Sequence, residues 1–190
     1  MPEEIVTKGI PHKKLAPILE RVRKDVIASD TFKEMAEKYD LYEEEYDLIP
    51  LAFAELPVSA RTDHGCIYVN IELLENFLKD GKIDEDELKE IAHYVAHEKT
   101  HFGQQTTGNK PTPGSTDENY LDNPVEQEGF KNQTQYIAET QDEEAAEEYI
   151  EKVLDHHDEY HEDDKERESR KKKLIDLASE VRLQVFLKGF

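Results

Sequence analysis

Residues 97 to 101 read His97-Glu98-Lys99-Thr100-His101 inside a segment that is helical by every other sign. No other stretch restricts the fold of this chain so tightly. A helix turns about 100° per residue, so residues four apart stand one above the other on a single face. Two imidazoles placed this way are close enough to share one metal ion. Glu98, one step round the helix, stands beside such an ion rather than on it, where a carboxylate takes a proton from metal-bound water. The surrounding pattern predicts an amphipathic helix from about 84 to 103. Asp84-Glu85-Asp86-Glu87 suits an N-terminus, Leu88, Ile91, Val95 and Phe102 recur near helical spacing, no proline intervenes before Pro111, and Gly103 reads as the stop. His97 and His101 then lie beside the apolar stripe, at the edge of a core, and Lys99 is expected to run along the flank into solvent. The simpler alternative is a pair of solvated histidines on an acidic helix.

A metal site of the catalytic type takes three protein ligands and leaves a fourth position open. The third is sought downstream, in Asp122-Asn123-Pro124-Val125-Glu126-Gln127-Glu128-Gly129-Phe130. Asn123 can cap a helix, Pro124 suits its first position, and Glu126 falls one turn in. The face of Glu126 continues through Gly129, Phe130, Gln133 and Ile137, small and apolar residues that allow close approach to another helix. Glu126 is the candidate ligand, with Glu128 in reserve; the alternative role for Glu126 is a capping-box contact back to Asn123.

The arrangement of His97, Glu98, His101 and Glu126 resembles that of the gluzincins, the thermolysin-like clan of zinc metallopeptidases. The likeness spans about residues 48 to 140. Ala60 to Asn70 is similar to the strand that precedes the active-site helix in compact members of the clan, with a short helix expected over Ile71 to Leu78. Asn-Pro-x-Glu-x-Glu followed by a small residue is similar to the glutamate helix of small prokaryotic and phage-type domains. The resemblance implies an α+β, mostly α fold with a small sheet, a bound Zn2+ held by His97, His101 and Glu126, and hydrolysis of a peptide or protein substrate with Glu98 as general base. It also implies an oxyanion donor outside the zinc motif, for which Tyr120 and Tyr136 are the candidates, with Arg61 and His64 behind them. Lys99, Gly103 and Gly129 depart from the clan's usual residues without removing a ligand.

Composition narrows the partners. With 24 basic and 45 acidic side chains the formal net charge is −21, a surface that repels phosphates and anionic membranes, so neither nucleic acid nor membrane is an expected partner. No apolar run is long enough for a span, and the first residues lack a signal-peptide layout, which points to the cytoplasm. Cys66 is the single cysteine, which excludes an intrachain disulfide and a cysteine-based zinc knuckle.

The 190 residues suit one domain, divided as a metallopeptidase core over 1–140 with N-terminal helices and a helical extension over 141–190. His12 to Ala28 and Ser29 to Tyr39 read as helices, the second capped by Ser29 or Asp30. Leu48 to Leu56 reads as a strand that starts late because of Pro50 and pairs with 66–70. Gly103 to Tyr120 reads as a long loop. Gln141 to Tyr160 carries Ala145, Tyr149, Val153 and Leu154 on one side, and Lys171 to Leu187 forms a second helix. His93 is assigned to packing around the site, and His156, His157 and His161 to a solvated face. Two other classes stay open: a zincin-like module that binds metal without cleaving anything, and an acidic helical interaction protein. Oligomeric state is not legible.

Overall fold

A computed structural model of the chain describes residues 8–107, 121, 123–157, 165, 167–169, 171–172 and 175–176. The fold is α+β and mostly helical, with one small mixed sheet among the described residues. It comprises two compact units, Met1–Asn109 and Lys110–Phe190.

The first unit begins with α1, His12–Ala28, which buries Leu15, Ile18, Leu19, Val22 and Val26. This is the i, i+3, i+4, i+7 stripe that makes a helix stick to a core. Ser29 ends α1 and starts α2, Asp30–Lys38. Its hydroxyl donates to the Val26 carbonyl at 2.7 Å and accepts from the Phe32 amide at 3.1 Å, so one side chain satisfies two helix ends. A 3-10 turn, Glu43–Leu48, follows, and none of its residues is buried.

Three strands come next: β1 Leu51–Ala54, β2 Ala60–Asp63 and β3 Cys66–Asn70, in the order β1-β3-β2. β1 runs parallel to β3 with Phe53 opposite Val69, and β2 runs antiparallel to β3 with Thr62 opposite Ile67. The strand expected over Leu48 to Leu56 is shorter, starting just after Pro50, whose carbonyl still accepts from the Ile67 amide at 2.9 Å. Proline lacks only the donor, so it stops the strand without leaving the ladder. The segment expected as a single strand over Ala60 to Asn70 is a hairpin. His64 and Gly65 turn with φ of 49° and 75°, the left-handed pair that closes a two-residue hairpin with the right twist. The helix expected over Ile71 to Leu78 is a 3-10 turn, Ile71–Leu73, and then α3, Glu75–Asp80.

The last element of this unit is α4, Glu85–Thr106, whose N-cap Asp84 accepts from the Asp86 amide at 2.8 Å. It packs on α1, α2, β2 and β3. Gly103 is not its stop. A Cβ at Gly103 would lie 2.6 Å from Tyr39 Cδ2 and 3.3 Å from Met35 Sδ, so the glycine lets α4 pass close to the end of α2. The helix ends a turn later, where the Thr106 and Thr107 hydroxyls donate to the Gly103 carbonyl at 2.8 and 3.1 Å.

In the second unit α5, Pro124–Thr140, packs on α6, Glu143–His157. Their shared core is Leu121, Phe130, Ile150, Val153 and Leu154, with Tyr149 and Ile175 against it. The apolar side of α6 is thus centred on Ala146, Ile150, Val153 and Leu154, while Ala145 and Tyr149 stand at its margin. Ala146, Ile150 and Val153 follow i, i+4, i+7, a better helical register than one begun at Ala145. Most of the expected helix over Lys171 to Leu187 lies outside the described residues.

Candidate metal centre

Every residue of α4 from Val95 to His101 is buried. A helix buried all round must satisfy each polar group it carries from within. The two imidazoles meet edge to face, with ring centroids 4.8 Å apart and an interplanar angle of 74°. Their Nε2 atoms lie 3.0 Å apart, and both residues are less than a tenth exposed. His101 Nδ1 lies 2.9 Å from Gln104 Oε1. That oxygen only accepts, so Nδ1 carries the proton and His101 Nε2 presents a lone pair toward His97. A ligating histidine needs this tautomer, and its other nitrogen is commonly held by such a partner. Gln104 escaped the sequence reading, although its i+3 position from His101 is a usable signal.

Glu98 is buried and points to the side of α4 that meets β2. Thr62 Oγ1 stands 2.7 Å from Glu98 Oε2 and 2.9 Å from the Glu98 backbone carbonyl. The hydroxyl donates to the carboxylate and fixes one of its oxygens, leaving the other to act. Thr62 sits on an edge strand and carries no motif, so sequence alone offered no reason to single it out.

Glu126 is held by the start of α5. Asn123 Oδ1 accepts from the Val125 amide at 3.0 Å and Pro124 occupies the first turn, which makes Glu126 the third helical residue. It is 8% exposed. His97 and His101 of the first unit and Glu126 of the second are buried side chains that can each offer one donor atom to a metal ion. Glu128 is half-buried and is not among them.

Tyr120 and His161 lie outside the described residues, as does the side chain of His157; His156 is exposed. Tyr136 is buried on α5, ten residues beyond Glu126, a rise of about 15 Å and roughly 80° round the helix from it. Arg61 is half-buried on β2. His64 is exposed and pairs with Asp63 at 2.7 Å. His93 is buried with its ring 4.3 Å from that of Tyr94.

Lys99 departs most from expectation. Instead of following the flank of α4 into solvent it is 0% exposed, with Nζ 4.4 Å from the centre of the Phe32 ring and no hydrogen-bond partner among the described residues. Burial, aided by the nearby Arg23 charge and opposed by Asp47, pulls its pKa down to about 7. The face that sequence assigned to solvent is covered by α2, whose Phe32 supplies the π surface. Cys66 is half-buried, and burial raises its thiol pKa, which makes it a poor nucleophile.

No protein-family model, curated protein or solved structure matches this chain. The functional reading rests on the geometry.

Proposed function

We propose that the chain is a zinc-dependent peptidase of gluzincin type, with His97, His101 and Glu126 holding the metal and Glu98 as general base. The observation that carries the reading is the pair of buried imidazoles whose Nε2 atoms lie 3.0 Å apart, with His101 held in the ligating tautomer by Gln104. The donor set fits the ion. Two neutral nitrogens and one anionic oxygen form the three-ligand, open type of zinc site, whereas structural sites close with four ligands. An ion bound there supplies Lewis acidity and a nucleophilic water near neutral pH.

The remaining work falls to the chain. Gln104 holds His101 in the ligating tautomer. Thr62 anchors one oxygen of Glu98, so the free oxygen takes a proton and hands it to the leaving amine of a peptide substrate. Burial around Val95–His101 keeps bulk water from competing with these contacts. The lone Cys66 suits a reducing compartment, which supports the cytoplasm as the place of action.

The test is Glu98→Gln. Wild type purified without added metal should carry one zinc per chain by elemental analysis and cut members of a peptide library read by mass spectrometry. The variant should keep the zinc and lose about 10²–10⁴-fold in rate. A wild type that holds zinc and cleaves nothing, or a variant that cleaves at near-full rate, overturns the peptidase reading.

A further inference from the structure

The first unit contains a second concave site, on the flank of α4 away from the histidines. Its cavity of about 380 Å³ is walled by Tyr39, Tyr46, Ile49 and Phe102, with Asp40 and Glu45 at the rim. That size falls in the range of clefts that accept a small molecule or a large side chain. The walls are braced from behind. Tyr46 stands edge-on to Phe32, centroids 4.8 Å apart, Phe32 is backed by Lys99, and the Tyr39 ring is wedged against Gly103.

Two further observations say what fits there. Tyr42 and Leu48, 70% and 72% exposed, are the most exposed large hydrophobics among the described residues, and they bracket the 3-10 turn over this cavity. Exposed apolar groups clustered beside a cleft mark an interaction surface. The charge is one-sided. Residues 38–49 include five acids (Asp40, Glu43, Glu44, Glu45, Asp47) and one base, Lys38. Of the nearby cations, Arg23 is committed to the Asp47 and Ile49 carbonyls, Lys99 is buried, and the exposed Lys38 has its Nζ 5.3 Å from the centre of the Tyr39 ring. The last turn of α4, with Thr106 and Thr107 lining the cavity, adds the negative end of a helix dipole.

The geometry points to a docking site for a basic peptide segment that inserts one large apolar side chain between Tyr39, Tyr46 and Phe102 and sets its Lys or Arg neighbours against the acidic rim. An acidic partner or a nucleic acid meets the same repulsion as the rest of this surface, and a second copy of a chain with net charge −21 does too. The site is independent of the metal reading.

The chain contains no tryptophan, so a tryptophan-bearing probe reports on itself alone. Titration of the full chain with the acetylated, amidated pentapeptide Lys-Lys-Trp-Lys-Lys should give a saturable blue shift of its emission. Thr106→Tyr, which fills the exposed rim, and the double variant Glu44→Lys/Glu45→Lys should each weaken binding about tenfold or more. Glu147→Lys/Glu148→Lys, an equal charge change on exposed α6 positions, should leave affinity within about twofold. Circular dichroism on each variant keeps unfolding from imitating loss of the site. The proposal is overturned by emission that stays at the solvated wavelength, or by the α6 control weakening binding as much as the 3-10 double variant. Equal binding of a Glu-Glu-Trp-Glu-Glu probe also overturns it. Self-association of the protein alone, abolished by Thr106→Tyr, reassigns the surface to a second copy and overturns it as well.

Discussion

The centre of α4 and the 3-10 turn Glu43–Leu48 are opposite solutions within one unit. From Val95 to His101 every residue of α4 is buried, even though that stretch includes two histidines, a glutamate, a lysine and a threonine. The turn is the reverse: it carries tyrosine and leucine, yet none of its residues is buried. Polar groups inside and apolar groups outside both run against the usual sorting, and both cost stability unless something else is gained. In α4 the gain is a fixed set of donor atoms. In the turn it is a sticky, charged surface held ready for a partner.

Substitutions can break this contrast, and the largest effect should come from the ligands. His101→Ala should abolish stoichiometric zinc in the purified protein, because removing one of three ligands leaves a site too weak to survive dialysis; elemental analysis reads it directly. Unchanged zinc in that variant would place the metal elsewhere.

Lys99→Met comes next. The folded pKa of about 7 lies below the unfolded value near 10.5, so between those two pH values the unfolded chain holds a proton that the folded chain lacks. Stability from this group therefore rises as pH increases from about 7 to 10.5 and is flat below. Met has no such charge to strip, so Lys99→Met should be roughly 2–4 kcal/mol more stable at pH 7. The gap from wild type should narrow as pH approaches 10. Urea denaturation at several pH values checks both; a pH-independent gap would mean that the lysine is not deprotonated by burial.

Gly103→Ala should cost about 1–3 kcal/mol by the same denaturation, since its methyl group meets the Tyr39 ring below van der Waals contact. A neutral result would show that α2 and α4 separate without penalty. The smallest effect belongs to the 3-10 turn. Tyr42→Ser and Leu48→Ser should change stability by no more than about 0.5 kcal/mol. A larger loss would show that these side chains support the fold, which would erase the contrast with α4.

Much of this was legible from local pattern. The ranges of α1 and α2, the caps at Ser29, Asp84 and Asn123, and the nearness of His97 to His101 all follow from spacing or end chemistry confined to a few residues. Glu126 is placed one turn into its helix by Asn123-Pro124 in the same way. What was not legible depends on chain that lies far away in sequence. Lys99 reads as solvent-facing until Phe32, 67 positions earlier, covers it. Gly103 reads as a helix stop until Tyr39 needs the space. Thr62 has no signal of its own, because its importance comes from lying across from Glu98. The hairpin at His64-Gly65 was a local miss: Asp-His-Gly is turn chemistry, and the resemblance to a single strand was carried through it.

Lys99 has a consequence for chemical labelling. The folded chain gives it no surface, so an amine-acylating reagent can reach it only when α2 lifts from α4 or the whole unit opens. The exposed lysines on the same molecule, such as Lys79 and Lys82, acylate in the closed state. The rate at which Lys99 is modified relative to those lysines, followed by peptide mapping, is therefore a clock for the opening of the helix that carries the two proposed histidine ligands. An ion bound only by the closed form slows that clock by mass action.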